Sequence, residues 1–369
     1  MKILFVTTIS NTVNAFLLPH IKLLIDNGHK VDLAFNTVQE VNPELINMGC
    51  RVYDIEFNRN PFNLKNFSAF KKIKKLIENN NYDVVHTHTP VASALTRLAC
   101  KNMKEIIVFY TAHGFHFYKG APPKNWLLYF TIELWLSKFT DVLITINNED
   151  YIRAKKFFKA RNIEYIPGIG LDIKKFSEVI VNKSKKRKEL GIPENAFVVL
   201  SVGELNDNKN HETIIKSISK INNPNIYYVI CGEGPLEKYL KKLAKSLGIE
   251  NRVLLLGYRD DVYEIYKVAD IFTFPSKREG LGMAALEAMA SGLPIITSNV
   301  HGIVDYSDNN KTGYSFAPND VNNFSSAILK LYNNEKLRKK IGEYNKNVVK
   351  KFSLKYVLER MEDIYNRNI

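Results

Sequence analysis

The chain has 369 residues, 45% of them hydrophobic and 24% charged, with 52 Lys and Arg against 38 Asp and Glu for a net charge of +14. That length exceeds one ordinary core and the apolar content excludes a chain without one, so two domains are expected. No run of about eighteen apolar residues occurs, and the start MKILFVTTIS lacks a basic segment followed by a long apolar stretch and cleavage site, so neither a membrane span nor a secretory signal is expected and the protein should stay in the cytoplasm. Cys50, Cys100 and Cys231 are odd in number and widely spaced, which reads as buried free thiols rather than disulfides or a zinc site. The positive balance suits an anionic partner, whether nucleic acid, an acidic membrane surface or a phosphorylated substrate. The Lys, Asn and Ile bias that accompanies it can also arise from genomic base composition alone.

Taken in chain order, apolar runs at 3–7, 31–35, 84–86, 106–110 and 142–146 alternate with helical patterns that include 16–26, 91–101 and 126–138. Strand alternating with helix predicts a parallel sheet. The segment 166–176, IPGIGLDIKKF, carries one proline and two glycines where this series ends, and reads as a hinge. The basic run KSKKRKE, 183–189, reads as the solvated face of a short helix. A second series follows at 197–202, 227–231, 253–256, 271–274 and 294–297, and a last helical segment covers 354–365. The expected fold class is α/β, with two doubly wound domains at 1–168 and 169–352.

Ligands of open parallel sheets collect beyond the carboxyl ends of the strands. After the run at 197, SVGELNDNKNH places Gly203 at a strand end and Lys209 before a helix; CGEGPL then supplies Gly232 and Gly234 in a tight turn, with Pro235 starting the next helix. In FPSKREGLGMAALEAMASGLPII, 274–296, Pro275 and Ser276 stop a buried strand and helix formers begin at Met283. Gly280 and Gly282 let backbone N–H groups approach an anion at the helix N-terminus, and Glu279 and Glu287 can point into one pocket. In the first half, His113 lies just past a strand in YTAHG, and His86 and His88 end another in VVHTHTP. That H-x-H invites a metal reading, but no Asp, Glu or Cys clusters near it, and strand-end packing or an acceptor contact is preferred. The aromatic residues Trp126, Tyr129, Phe130 and Trp135, with Phe67, Phe70 and Lys71, Lys72, Lys74 and Lys75 nearby, suit either a membrane interface or a packed core.

The string 274–296 resembles the donor-sugar motif of family 4 of the GT-B glycosyltransferases, and the resemblance extends over essentially the whole chain. It implies two Rossmann-like domains facing a cleft, with a C-terminal helix, 353–369, packing back on the first. It implies that Glu279 contacts the donor sugar, that Glu287 contacts the ribose, and that Gly280, Leu281, Gly282 and Met283 bind the donor. Lys209, near Gly203, is implied at the diphosphate, the Gly232–Gly234 loop near the nucleotide, Tyr258 and Arg259 at the base, and His113 beside the sugar. His113, Glu279 and Lys209 form the implied catalytic set, with Asn14, His86 and His88 on the acceptor side. Two departures stand out: Glu204 occupies the place of an arginine that grips the diphosphate, and the loop 8–14 has no glycine.

Within the family, YTAHGFHFYKGAP and VVHTHTP look like bacterial enzymes of capsule or exopolysaccharide synthesis. The expected activity is retaining transfer of a hexose or N-acetylhexosamine from a UDP-sugar to a lipid-linked or saccharide acceptor. No D-x-D triplet occurs, so no metal is expected, and no cofactor beyond the nucleotide-sugar co-substrate. An anionic membrane surface is an expected partner, with the protein peripheral on the inner face of the cell membrane; nucleic acid is not. The rival readings are a hydrolysing UDP-sugar epimerase of the same fold and a basic nucleic-acid-binding protein, for which no motif speaks.

Overall fold

A computed structural model describes all of residues 1–369. The chain divides into two compact units, one formed by Met1–Gly170 with Lys355–Ile369 and the other by Leu171–Leu354.

The first unit is built on β1 (Lys2–Ile9), β2 (Lys30–Asn36), β3 (Val52–Asp54), β4 (Val84–His88), β5 (Ile107–Ala112), β6 (Val142–Thr145) and β7 (Asn162–Tyr165), in the order β3-β2-β1-β4-β5-β6-β7. Every pairing is parallel. Ile3, Leu4, Phe5 and Val6 of β1 are all buried, because helices cover both faces of the sheet and leave a central strand no polar side. The order reverses between β1 and β4, which opens a crevice at their carboxyl ends.

The second unit holds β8 (Phe197–Val202), β9 (Ile226–Cys231), β10 (Val253–Leu255), β11 (Ile271–Phe274), β12 (Ile295–Ser298) and β13 (Gly313–Phe316), in the order β10-β9-β8-β11-β12-β13, again all parallel. Its core on one face joins Ile214, Ile215 and Ile218 of the helix His211–Ile221 to Phe324, Ile328 and Leu331 of the helix Val321–Tyr332. The switch point lies between β8 and β11.

The last helix, Leu354–Asn368, buries Val357, Met361, Ile364 and Tyr365, spacings that place all four on one stripe. The Tyr365 ring stacks on Phe109 of β5 with centroids 4.8 Å apart, and its hydroxyl lies 2.6 Å from His86 Nδ1. Burying side chains of this size stabilises by about 1.5–3 kcal/mol each, so this helix is part of the first unit's core.

The basic run is a solvated helix face, as read, at Lys183, Lys185 and Lys188, and departs from that reading at two residues. It forms the helix Lys183–Glu189, but Lys186 and Arg187 are buried. Lys186 ion-pairs with Asp261, Glu264 and Glu189, and Arg187 donates to the carbonyls of Glu194, Ala196 and Val268 and to Asp270. A buried cation needs several acceptors, and these two tie the helix to the helix Val262–Val268 and to the residues that lead into β8 and β11. The three cysteines are buried and free, and burial pushes their thiols up, to about 11 for Cys50 and about 12 for Cys100 and Cys231. At neutral pH they stay protonated and unreactive.

Candidate active site

In the second unit, the loops that follow β8 and β11 are stitched together. Lys277 N–H donates to Asn208 O at 2.8 Å and Asn208 Nδ2 donates to Arg278 O at 2.9 Å. This fixes Lys209 on one loop against Glu279 on the other, with Nζ to Oε1 at 2.7 Å and both side chains largely buried. Lys209 Nζ also lies 4.8 Å from the centre of the Phe274 ring, and its alkyl stem passes close against Gly203. The two residues sit 70 positions apart in sequence, and the β8–β11 pairing brings them together.

Gly280 and Leu281 lead to Gly282, which has φ of 91° and begins the helix Met283–Ala290. A Cβ at Gly282 would stand 2.5 Å from the Phe274 ring and 3.0 Å from the Tyr306 hydroxyl, so both conformation and space require glycine. No side chain caps this helix, and with Ala285 N–H donating to Gly282 O, the Met283 and Ala284 N–H groups are left as donors for an anion. Glu287, one turn on, accepts from the Tyr266 hydroxyl at 2.9 Å, and its burial raises its pKa. Tyr266 and Arg278, whose Nη1 is buried without a hydrogen-bond partner, are neighbours that the motif did not signal.

Gly232 and Gly234 form the turn after β9, and a Cβ at Gly232 would fall 2.0 Å from Gly203 O, so the loops after β8 and β9 cross in contact. The helix there opens at Glu237, two residues beyond Pro235. Glu204 is exposed and bonded to Asn206, and takes no part in the Lys209 pair. Tyr258 is 72% exposed, a ring free to stack. Arg259 is not free: its guanidinium is held by Asp261 at 2.8 and 2.6 Å and by Glu189 at 3.1 Å, which raise its pKa, while Arg259 and Lys186 together hold Asp261 down to about 2. Its side chain is a structural clamp between Asp261 and Glu189, with its guanidinium committed to both.

In the first unit, β4–β5 pairing sets His88 opposite Thr111 and brings His88 Nδ1 within 3.0 Å of His113 Nε2. His86 is fully buried, stacked on His88 at 4.3 Å, with Nδ1 on the Tyr365 hydroxyl and Nε2 on Thr111 Oγ1 at 2.8 Å. Both of its nitrogens are used, so it is a packing residue and not an acceptor contact. Asn14 is likewise structural: its amide donates to Glu40 O at 2.8 Å and accepts from Asn42 N–H at 3.0 Å. It lies in the helical segment Val13–Leu17, since the chain coils directly after β1 instead of forming a loop. No group of three or more His, Cys, Asp or Glu side chains is arranged to hold a metal ion.

Burial lowers His20, His86 and His88, and holds His113 at about 4. His113 is therefore neutral at physiological pH. Unfolded, each of these histidines takes a proton near 6.5, so below that pH the unfolded state binds more protons than the native one. Stability from the neutral cluster is complete above about pH 6.5 and is lost as pH falls toward 4. Both tryptophans, Trp126 and Trp135, belong to the first unit, so their fluorescence reports its unfolding. The urea midpoint measured this way is expected to fall steadily from pH 7 to pH 5; a constant midpoint would refute the neutral cluster.

Two family models match the chain, Glycosyl transferase 4-like over residues 2–147 and Glycosyl transferases group 1 over residues 182–348. The chain is 36% identical to EpsD of Bacillus subtilis over 99% of this chain and 96% of that protein. It is 32% identical to the UDP-Gal:alpha-D-GlcNAc-diphosphoundecaprenol alpha-1,3-galactosyltransferase of Escherichia coli, covering 83% of this chain and 81% of that one. Among solved structures, Anabaena HepE with UDP and glucose superposes with a TM-score of 0.82 at 18% identity, covering 100% of both chains, which extends the likeness to the fold. With two parallel doubly wound units and these relatives, the chain belongs to the group 1 glycosyltransferases of GT-B fold.

Proposed function

We propose that this glycosyltransferase moves a hexose or N-acetylhexosamine from a UDP-sugar to a lipid-linked acceptor, with retention, in the synthesis of a bacterial surface polysaccharide. The observation that carries the reading is the Lys209–Glu279 pair at 2.7 Å beside the uncapped helix Met283–Ala290. When the donor binds, its diphosphate takes the Lys209 ammonium and the Met283 and Ala284 N–H groups, and a sugar hydroxyl takes the Glu279 carboxylate. Glu287 accepts from the ribose hydroxyls. The acceptor hydroxyl attacks the anomeric carbon on the face that UDP leaves, the bond from that carbon to the diphosphate oxygen breaks, and the charge formed on that oxygen meets Lys209 and the helix terminus. The Escherichia coli relative, by its name, uses UDP-Gal and a diphosphoundecaprenol-linked acceptor, which supports both substrate classes.

A screen of UDP-sugars against a membrane lipid extract, read by mass spectrometry, tests the proposal. Addition of one hexose or N-acetylhexosamine to a lipid species with release of UDP is expected. An isomerised free sugar and no lipid product would identify an epimerase instead. Because the leaving charge is assigned to protein groups, transfer is expected to persist in excess EDTA, and complete loss restored by magnesium or manganese would overturn that assignment.

The proposal places the first unit against an anionic membrane surface. No helix is long and apolar enough to cross a membrane. The aromatic segment answers both of its readings. Trp126, Tyr129 and Phe130 pack inward on Phe115, Phe117 and Phe158, while Leu127, Ile132 and Trp135 face outward. Lys71, Lys72, Lys74 and Lys75 are exposed on the helix Lys65–Asn80, which also presents Phe67. Each basic residue at an anionic surface contributes about 1 kcal/mol, so changing all four lysines to glutamate is expected to abolish sedimentation with anionic vesicles. Unchanged sedimentation would make them ordinary solvated charges.

A further inference from the structure

A cavity of about 500 Å³ lies in the first unit at the carboxyl ends of β1, β4 and β5. Its walls are apolar, formed by Val91, Leu95, Phe115, Leu128 and Ile132, with Phe62 and Arg59 from the loop after β3. Its polar groups are few. The Thr8 and Thr89 hydroxyls, 2.7 Å apart, sit at the strand ends. Glu133 is already neutralised by Arg97 at 2.8 Å and by the Tyr110 hydroxyl at 3.3 Å. Phe62 is 77% exposed, so the apolar wall runs out to solvent, and Leu64 and Leu127 nearby in the chain are also exposed. Arg59 is exposed on the same rim.

A saccharide does not suit such walls, because each buried hydroxyl without a partner is costly. The volume falls in the range of ligand pockets, and a contiguous apolar surface open to water marks a binding groove. The cation on the rim complements an anion, whereas the hydroxyl protons of the two threonines are already spent, Thr89 donating to His88 O and Thr8 to Thr89 Oγ1. An aliphatic chain that ends in phosphate satisfies both halves. At roughly 30 Å³ for each water-sized group, the space holds on the order of fifteen carbons.

We infer that this cavity is the subsite for the aliphatic chain of a lipid diphosphate acceptor, whose anionic end meets Arg59. The inference rests on the proposal that the acceptor is lipid-linked, and it adds where the lipid is held and by which residues.

The test is binding of farnesyl diphosphate to the full chain without any UDP-sugar, followed by calorimetry, with inorganic diphosphate and farnesol as comparisons. Farnesyl diphosphate is expected to bind at least about a hundredfold more tightly than inorganic diphosphate, as several buried methylenes require. Ala94→Phe, which fills the cavity, and Ile132→Ser, at a half-exposed wall position that folding tolerates, are each expected to weaken it about tenfold or more. Arg59→Ala is expected to weaken farnesyl diphosphate but not farnesol. Equal affinity for farnesyl diphosphate and inorganic diphosphate, or no change in both wall variants, would overturn the inference. Loss of farnesyl diphosphate binding on reversing Lys71, Lys72, Lys74 and Lys75, with both wall variants unaffected, would assign the lipid to the outer membrane-facing surface and equally overturn it. If sugar transfer to lipid occurs unchanged in both wall variants, the subsite fails while the transferase reading stands; if the lipid binds as expected and no UDP-sugar is turned over, the reverse holds.

Discussion

Replacing Lys209 with alanine is expected to lower kcat by about 10²–10³, the cost of deleting one preorganised group that meets developing charge. Lys209 is well placed for this role because it is held before any donor arrives, by Glu279 at 2.7 Å, by the Phe274 ring and by Gly203 along its stem. Lys209→Arg keeps the charge but sets a planar group against Gly203, and is expected to recover only part of the rate. Initial rates at saturating donor read the effect directly. A Lys209→Ala enzyme within a fewfold of the parent would move the diphosphate charge to another group, with Arg278, the next cation along the stitched loops, first in line.

Glu287→Ala is expected to weaken UDP binding by about 10–100-fold, the equivalent of losing a hydrogen bond to a charged group worth about 1.5–3 kcal/mol. Glu279→Gln should do the opposite, leaving UDP affinity nearly intact and cutting turnover strongly, because the proposed function gives it the sugar as its partner. Calorimetry with UDP and steady-state rates with the UDP-sugar separate the two. Tyr266→Phe removes the hydroxyl 2.9 Å from Glu287 and is expected to give a milder loss of UDP affinity. Small and equal effects of both glutamate changes would remove them from the site.

The strands that sequence made legible are the buried ones. β1, β4, β8 and β11 carry consecutive apolar residues, Ile3 to Val6, Val84 and Val85, Phe197 to Leu200, and Ile271 and Phe272, because both faces are covered. β3, β7 and β13 were not expected. Each is an edge strand of three or four residues, and VYD, NIEY and GYSF carry too little apolar pattern to register. The segment 274–296 was readable as a ligand loop because glycine and helix-start chemistry act locally. The pairings that define the sites were not, since Lys209–Glu279, His88–His113 and Glu287–Tyr266 join residues on different elements whose approach is set by sheet register. Burial of Lys186 and Arg187 escaped for the same reason: apart from Glu189, their acids Asp261, Glu264 and Asp270 lie more than 70 positions along the chain. Asn14 and Arg259 show the converse error, polar residues at strand ends whose hydrogen bonds are spent on the scaffold.

The central claim is that the acceptor attacks on the face UDP leaves, within groups supplied by Lys209, Glu279 and the helix Met283–Ala290. The anomeric configuration of the glycosidic bond in the product, read from its proton NMR coupling constant, tests it most directly. A glycosidic bond with the configuration of the donor's own sugar–diphosphate bond is predicted. An inverted linkage would contradict the account and require an attacking group on the opposite face of the sugar.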